Sequence, residues 1–454
     1  MNYAAINPFT EEQISAYSLI EEAALLKALD NAEHAFNSWK QQTFAFRAQL
    51  MLKLSQLMQQ HAEEMAILAS TEMGKPIREA RHELQKCLTA FYYYADVAEI
   101  LLKPTETKLN DGRKVLQSHE PFGVVLGVFP WNFPYWQIIR SAVPVLMSGN
   151  TILIKPAPNV PECALALQRL FNEAGFPKGV VQTIFANEQQ VAQLLADYRV
   201  KACTLTGSEK AGAAVACEAA KQIKKSVLEL GGSDPFLVLP DANINEAIKI
   251  AITSRFQNNG QSCIGAKRFI IHHQVADEFL NRFIEAINKL SIGNPLDEVT
   301  AIGPLARKDL HDKLSAQVHE SVNKGAKILW QQTKMPACGY FYPPTILTDL
   351  IQGMPAFEEE LFGPVIAFFT CTNEDEMIRL ANKTNFGLGA SIWTKNIDKA
   401  MQMAASIQSG QVFINSLVRS DVRFPFGGIK KSGFGRELGE AGLKEFTYIK
   451  SIWH

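Results

Sequence analysis

The order of apolar and polar positions divides the chain into stretches of different period. From Ile20 to Leu101 apolar residues fall on helical spacing, among them Leu50, Leu52, Leu54, Leu57 and Met58, with many charges between them. That pattern predicts helices with one buried face. The period then shortens. Val124–Val128 and Thr151–Ile154 are β-branched runs bounded by glycine and proline, as strands covered on both faces are. Tyr135–Leu146 between them predicts a helix, and so does Leu165–Ala174, stopped by Gly175 and Pro177. Val180–Phe185, Gln190–Ala196 and Ala202–Thr206 continue the alternation as strand, helix and strand. A repeat of roughly 25 residues per strand and helix is the signature of a doubly wound α/β sheet.

A second alternating region begins near Gly231. It holds strand patterns at Pro235–Leu239, Phe269–Ile271, Ala326–Leu329 and Val365–Phe369, and helix patterns at Ile244–Phe256 and Ala276–Leu290. Two segments fit neither region. Lys108–Ser118 is polar and alternating around Asn110-Asp111-Gly112, a hairpin signal, and Phe446–Trp453 alternates like an edge strand. The expected organisation is therefore two doubly wound α/β domains and a small β arm. Residues 1–103 and 122–230 form the first domain, 231–430 the second, and 104–121 with 431–454 the arm and tail.

Length and composition agree with this division. A chain of 454 residues exceeds one ordinary core, so roughly two or three domains are expected. Hydrophobic residues make up 47% and the net charge is −1, which argues against nucleic acid or an anionic membrane as the main partner. No apolar run reaches the roughly 18–20 residues of a membrane span. Met1–Thr10 lacks the basic and apolar regions of a signal peptide, so a cytoplasmic location is expected. The seven cysteines are dispersed without a Cys-x-x-Cys, as in a reduced protein. The histidines offer no helical His-x-x-x-His, and no metal site is expected.

The candidate chemistry centres on Cys263, at the end of Asn258-Asn259-Gly260-Gln261-Ser262-Cys263. Small and polar neighbours leave its sulfur room to meet a ligand, and a thiolate is a strong nucleophile. Glu229, in Glu229-Leu230-Gly231-Gly232, supplies a carboxylate able to take protons from a thiol or water. Asn132 lies between Pro130-Trp131 and Phe133-Pro134, whose prolines fix the backbone so that its amide can face an oxyanion. Thr206-Gly207-Ser208 ends a strand and opens an Ala-rich helix, which suits either an anion site or a plain serine N-cap. Lys155 ends an apolar strand at the edge where α/β sheets bind ligands. Glu360 and Phe362, in Glu360-Leu361-Phe362-Gly363-Pro364, set a carboxylate beside an aromatic ring and a tight turn. No Gly-x-Gly-x-x-Gly follows a strand.

Together with Lys155-Pro156-Ala157 and Pro425-Phe426-Gly427-Gly428, these motifs resemble the aldehyde dehydrogenase superfamily over almost the whole chain. Within it, Lys-Pro-Ala-Pro-Asn, Leu-Gly-Gly-Ser-Asp-Pro-Phe and Lys-Lys-Ser-Gly-Phe-Gly-Arg-Glu-Leu are most similar to a compact bacterial branch of succinate-semialdehyde dehydrogenases. The resemblance implies that Cys263 attacks the aldehyde carbon while Asn132 and the Cys263 backbone N–H hold the oxyanion. Hydride then leaves to a nicotinamide, and Glu229 activates the water that hydrolyses the thioester. It implies NAD or NADP without a metal, held by Lys155 at the adenosine ribose, Ser208 at the pyrophosphate and Glu360 with Phe362 at the nicotinamide ribose and ring. Pro130, Trp131, Gly207, Leu230 and Gly231 complete the cofactor set. Strict NAD users of the family often carry glutamate three residues after the lysine; here that position is Pro158, so NADP is expected as well.

For substrate, the resemblance points to Arg140 as the cation for a distal carboxylate. Gln257 stands where related enzymes carry a second arginine, and Ser420, Arg419 and Arg423, in the loop before Pro425, are placed to compensate. The resemblance implies that 1–103 and 122–230 form a dinucleotide-binding domain, 231–430 a catalytic domain, and 104–121 with 431–454 an oligomerisation arm and tail that pair across the subunits of a homodimer or homotetramer. The alternatives are another short aldehyde such as glutarate semialdehyde, and a cysteine hydrolase or thioesterase without a redox step.

Overall fold

A computed structural model describes residues 3–454. The chain opens with a hairpin of β1 (Tyr3–Ile6) and β2 (Gln13–Tyr17), which the sequence reading did not anticipate. The helical stretch follows as Glu22–Trp39, Phe44–Gln60, Ala62–Met73 and Ile77–Leu101. β3 (Thr105–Lys108) and β4 (Lys114–Pro121) are the two strands of the expected arm.

Next come β5 (Val124–Val128), β6 (Thr151–Lys155), β7 (Val181–Thr183), β8 (Val200–Thr206) and β9 (Lys225–Glu229). They form a parallel sheet in the order β9-β8-β5-β6-β7. Alternate residues explain why both faces are covered. Val125, Ile152, Ile154, Ala202 and Val227 pack with the helix Trp136–Met147, and Val124, Leu126, Leu153, Cys203 and Leu205 pack with Leu25, Leu29 and Ala32. Cys203 is thus a packing residue. Strand order reverses direction at β5, between β6 and β8, and a doubly wound sheet opens a ligand crevice at the carboxyl ends of its strands there.

The second sheet contains β10 (Asp234–Val238), β11 (Ala266–His272), β12 (Lys327–Gln331), β13 (Thr345–Thr348), β14 (Val365–Cys371), β15 (Gly389–Trp393) and β16 (Gln411–Ile414). Its order is β12-β13-β14-β11-β10-β15-β16, parallel except for β12 at the edge. The first sheet also ends in one antiparallel strand, β17 (Gly433–Phe434), paired with Glu229 and Leu228 of β9. The tail expected from residue 431 therefore begins later. Only β18 (Thr447–Trp453) joins the arm, in a sheet ordered β18-β4-β3.

β18 pairs with β4 of the same chain, from Thr447 opposite Pro121 to Trp453 opposite Val115. Arm and tail thus pair with each other inside one chain: β4 is covered on both edges, by β3 and β18, and the edges left open are those of β3 and β18. Among the described residues, no helix is long and apolar enough to cross a membrane, and no cluster of histidine, cysteine and carboxylate side chains is arranged to hold a metal.

Candidate active site

Five chain segments meet between the two sheets. Pro130–Asn132 follow β5, Thr206–Ser208 follow β8 and Leu230–Gly231 follow β9, at the carboxyl edge of the first sheet. Cys263 precedes β11, and Glu360 and Phe362 precede β14, at the amino edge of the second. They enclose a cleft of about 280 Å³. A second chamber of about 240 Å³ lies on the other side of Cys263, lined by the helices Ile77–Leu101 and Trp136–Met147 and by the loop 417–426. Cys263 borders both spaces.

The turn carrying Cys263 is held by unusual backbone geometry. Asn258 and Asn259 both adopt left-handed conformations, φ 54° and 59°, which asparagine tolerates better than most residues. Their amides earn partners at once. Asn258 Nδ2 donates to the Asn132 carbonyl at 2.7 Å, and Asn259 Nδ2 donates to the carbonyls of Gly74 and Pro304, each at 2.8 Å. Lys267 Nζ donates to the carbonyls of Ser262 at 2.6 Å and Cys263 at 2.7 Å, and to Glu360 Oε1 at 2.9 Å. One buried cation therefore ties the cysteine turn to Glu360. Burial pushes the Cys263 thiol up to about 11, against the opposing pull of Arg140 and Lys267.

Asn132 is 4% exposed and borders the cleft beside Cys263. Its Nδ2 donates to the Gln261 carbonyl at 3.1 Å, and an amide nitrogen carries a second hydrogen for an oxyanion. Glu229 stands apart from these two. It ends β9, borders neither space, and both carboxyl oxygens are buried without a hydrogen-bond partner. Burial, with the nearby Glu437, drives its acidity well below that of an ordinary carboxylic acid, so the neutral form is favoured. A Cβ on Gly427 would stand 2.7 Å from Glu229 Oε1, so the glycine motif late in the chain makes room for this carboxyl.

Most of the expected cofactor residues converge on the cleft: Pro130, Trp131, Gly207, Ser208, Leu230, Gly231, Glu360 and Phe362 all border it. The residues fit a dinucleotide. Ser208 caps the helix Glu209–Lys221, accepting from Ala211 N–H at 3.3 Å, so the cap and the helix N-terminus facing the cleft coexist. Gly231 and Gly232 permit the close approach that shapes the cleft wall. A Cβ on Gly231 would lie 2.6 Å from Glu360 Oε2, and one on Gly232 would lie 2.5 Å from the Cys263 carbonyl. Gly232 N–H donates to Glu360 Oε1 at 3.1 Å, so both anchors of that carboxylate use Oε1. Phe362 meets Trp131 edge to face with centroids 5.7 Å apart. Lys155 and Pro158 lie outside the cleft lining, beyond β6 of the same sheet edge. Lys155 Nζ sits 5.7 Å from the Tyr3 ring centre, and burial lowers it to about 8, with Glu188 opposing.

The substrate residues are divided differently. Arg140, Gln257 and Ser420 all border the second chamber. Arg140 is 2% exposed and partly engaged: Nε is in ion contact with Glu437 Oε2 at 2.5 Å and Nη2 donates to Thr206 Oγ1 at 3.1 Å, whereas Nη1 has no partner among the described residues. Arg423 pairs with Asp421 and does not border the chamber, whereas Arg419 does. Three contributors escaped the sequence reading: Lys86, Lys267 and Glu437. The spacing of Glu79, His82, Glu83 and Lys86 along one helix face was the available signal for the first.

A cysteine turn set between two doubly wound α/β sheets, facing a cleft at the carboxyl edge of the first, is the architecture of a dehydrogenase. The chain belongs to the aldehyde dehydrogenase family, whose model matches residues 1–452, and it is an NAD(P)-dependent enzyme of that class. It is 46% identical over 453 residues to a probable NADP(+) succinate-semialdehyde dehydrogenase of Synechocystis sp., covering 100% of both chains. It is 43% identical to the NAD(P)+ succinate semialdehyde dehydrogenase Sad of Escherichia coli, covering 99% of this chain and 97% of that one. Among solved structures, it superposes with a TM-score of 0.97 on succinic semialdehyde dehydrogenase from Streptococcus pyogenes in complex with NADP+, at 34% identity and 99% coverage of each.

Proposed function

We propose that the protein oxidises succinate semialdehyde to succinate with NAD or NADP, through a thiohemiacetal and then a thioester on Cys263. The observation that carries this reading is the position of Cys263 on the boundary of two spaces, a cofactor cleft and a small chamber. A chamber of about 240 Å³ suits a short chain. Relatives 42–46% identical over the full length are named for succinate semialdehyde, which narrows it to a four-carbon semialdehyde.

Cys263 Sγ bonds to the aldehyde carbon as its thiol proton passes to solvent and the carbonyl π pair moves onto oxygen. The thiol is protonated at neutral pH, so the fields of Arg140 and Lys267 assist that loss. The oxygen that becomes anionic is met by Asn132 Nδ2 and the Cys263 backbone N–H. The bound dinucleotide supplies the hydride acceptor. Lys267 and Gly232 hold Glu360 for its ribose. Glu229 must then lose its own proton and turn toward the thioester to take one from water, releasing the carboxylate product and the Cys263 thiol. The dispersed free cysteines suit a reducing compartment such as the cytoplasm.

Aldehydes of one chain length, with and without a distal carboxylate, assayed at 340 nm with each cofactor, test this reading. Succinate semialdehyde should give the highest kcat/KM, and NADP should serve as well as NAD. No reduction with either cofactor would leave a hydrolase instead. We also infer an oligomer of at least two chains. β18 leaves Tyr448, Ile449, Ile452 and Trp453 exposed on an edge strand, a liability unless covered. A monomeric mass by light scattering at micromolar concentration would overturn it.

A further inference from the structure

We propose that Glu79 and Glu83, one turn apart on the helix Ile77–Leu101, are positioning residues that set the two oxyanion donors against each other. Glu83 holds the turn that carries Asn132, and Glu79 holds the turn that carries Cys263. The inference rests on the reading above of Asn132 Nδ2 and the Cys263 backbone N–H as those donors.

The two donors have separate origins. Asn132 follows β5 of the first sheet, and Cys263 precedes β11 of the second. Both N–H groups must reach one oxygen atom, so the turns have to be fixed relative to each other. Two neutral hydrogen bonds join them directly: Asn258 Nδ2 to the Asn132 carbonyl, and Asn132 Nδ2 to the Gln261 carbonyl. The segment Gly74–Glu83 grips both turns from a third side. Glu83 is buried, and its Oε1 accepts from the backbone N–H groups of Tyr135 at 2.8 Å and Trp136 at 2.9 Å. These groups open the helix Trp136–Met147, whose own N-cap residue, Tyr135, supplies no side-chain cap. A helix N-terminus leaves such donors unpaired and favours a carboxylate. Glu83 supplies that cap from another part of the chain, just downstream of Asn132. Lys75 completes the grip. Its Nζ pairs with Glu83 Oε2 and lies 4.3 Å from the ring centre of Phe133, the residue after Asn132. A buried ion pair gives little net stability beyond apolar packing, so its place here is better explained by the geometry it fixes.

Glu79 acts on the other turn. Its Oε2 accepts from the backbone N–H of Asn258, the first of the two left-handed residues that lead to Cys263. A residue with a side chain keeps that conformation only where its surroundings enforce it. The second, Asn259, donates from Nδ2 to the Gly74 carbonyl at 2.8 Å. One short segment therefore reaches both turns: Gly74 and Glu79 meet the cysteine turn, and Lys75 and Glu83 meet the Asn132 turn. Residues four apart lie on one helix face, which lets a single helix end serve both.

The test measures two rates in each variant. The first turnover of succinate semialdehyde, followed at 340 nm by stopped flow with aldehyde and NADP saturating, passes through the oxyanion. Alkylation of Cys263 by iodoacetamide uses the same thiolate and forms no oxyanion. Glu79→Leu should lose about tenfold or more in the first turnover, and so should Lys75→Met combined with Glu83→Met, which leaves no lone buried charge. Alkylation should stay within about twofold in both. Glu79→Gln and Glu83→Gln keep an acceptor for the same N–H groups and should recover most of the turnover. If the apolar variants fail to fold, Glu79→Asp and Glu83→Asp keep the charge but shorten its reach by one methylene. They should lose about threefold to tenfold in turnover with alkylation unchanged. Added to Asn132→Ala, the change at Glu83 should cost less than about threefold, because the donor it places is gone, whereas the change at Glu79 should cost as much as before. Alkylation that falls in step with turnover would overturn the inference, as would a Glu83 loss undiminished in Asn132→Ala. An Asn132→Ala variant with an unchanged first turnover would overturn the oxyanion reading itself, and this inference with it.

Discussion

The cofactor cleft and the substrate chamber share Cys263 but are built on different principles. The cleft is made of strand ends and backbone: Pro130–Asn132, Thr206–Ser208 and Leu230–Gly231 leave one sheet edge, and Glu360 is fixed by a backbone N–H and one lysine. The chamber is made of side chains from two helices and the loop 417–426, and its polar groups are sorted by which of them have already found partners. Structures of the first kind write themselves into short motifs, because each close approach demands a particular small residue at a particular place. Structures of the second kind do not, because a paired cation and an unpaired one look the same in one dimension.

The largest expected effect removes the residue common to both. Cys263→Ala should reduce turnover by more than about a hundredfold, since it deletes the group that bonds to carbon. Dinucleotide affinity, measured by fluorescence titration, should stay within about twofold, because the cleft is held by Lys267, Glu360 and the glycines. Parallel loss of both would mean that Cys263 organises the cleft and is not only its reactive edge. Glu229→Gln should follow, slowing deacylation more than reduction of cofactor. Its sign is a burst at 340 nm and then a slow steady rate. Because the Glu229 carboxyl is held neutral by burial and by Glu437, the wild-type steady rate should rise with pH as its proton leaves, and the variant should lose that rise.

Arg140 sharpens the contrast from the chamber side. Arg140→Ala leaves Glu437 buried without its counter-ion, and Ser141 as the remaining partner of that carboxylate. Breaking a buried pair from one side typically costs about 3–5 kcal/mol. A lowered denaturation midpoint, with activity on charged and uncharged aldehydes falling together, is the expected outcome. A stable variant that loses only succinate semialdehyde would make Arg140 the receptor for the distal carboxylate.

What could be read in advance follows the same division. The alternation of β5 to β9 with helices was legible because the central strands are covered on both faces, so β5, β6 and β8 carry unbroken buried runs such as Val124–Gly127 and Thr151–Ile154 that stand out. Cys263, Asn132 and Glu360 were legible because glycine, proline and asparagine mark the turns that carry them. The fate of Arg140 was not, since Glu437 lies far along the chain and only the packing of the helix Gly439–Glu445 region against Trp136–Met147 brings it close. The pairing of β18 with β4 was half legible: each strand announced itself, but a strand's partner is a property of the fold. The hairpin of β1 and β2 was missed because each strand is short and only Tyr3 and Ala5 of the pair are buried, too few positions to set a period.

Lys155 gives the smallest effect and the finest test of the cleft. It lies outside the cleft lining, at the end of β6 and beside the Tyr3 ring. Pro158 places no carboxylate near a 2′-phosphate, and an ion pair to phosphate exceeds a hydrogen bond to a hydroxyl. Lys155→Ala should weaken NADP by about tenfold and NAD by about twofold or less. The pH dependence has a definite sign. Burial lowers Lys155 to about 8, so the free enzyme presents the cation below that pH and loses it above. Phosphate binding restores the charge, so NADP affinity should be flat below about pH 8 and fall above it, while NAD affinity changes little. The variant should show no such fall. If NADP and NAD weaken together in Lys155→Ala, or if the wild-type NADP affinity ignores pH, the lysine serves the ribose and not the phosphate, and the cofactor choice must be made inside the cleft, nearer Ser208.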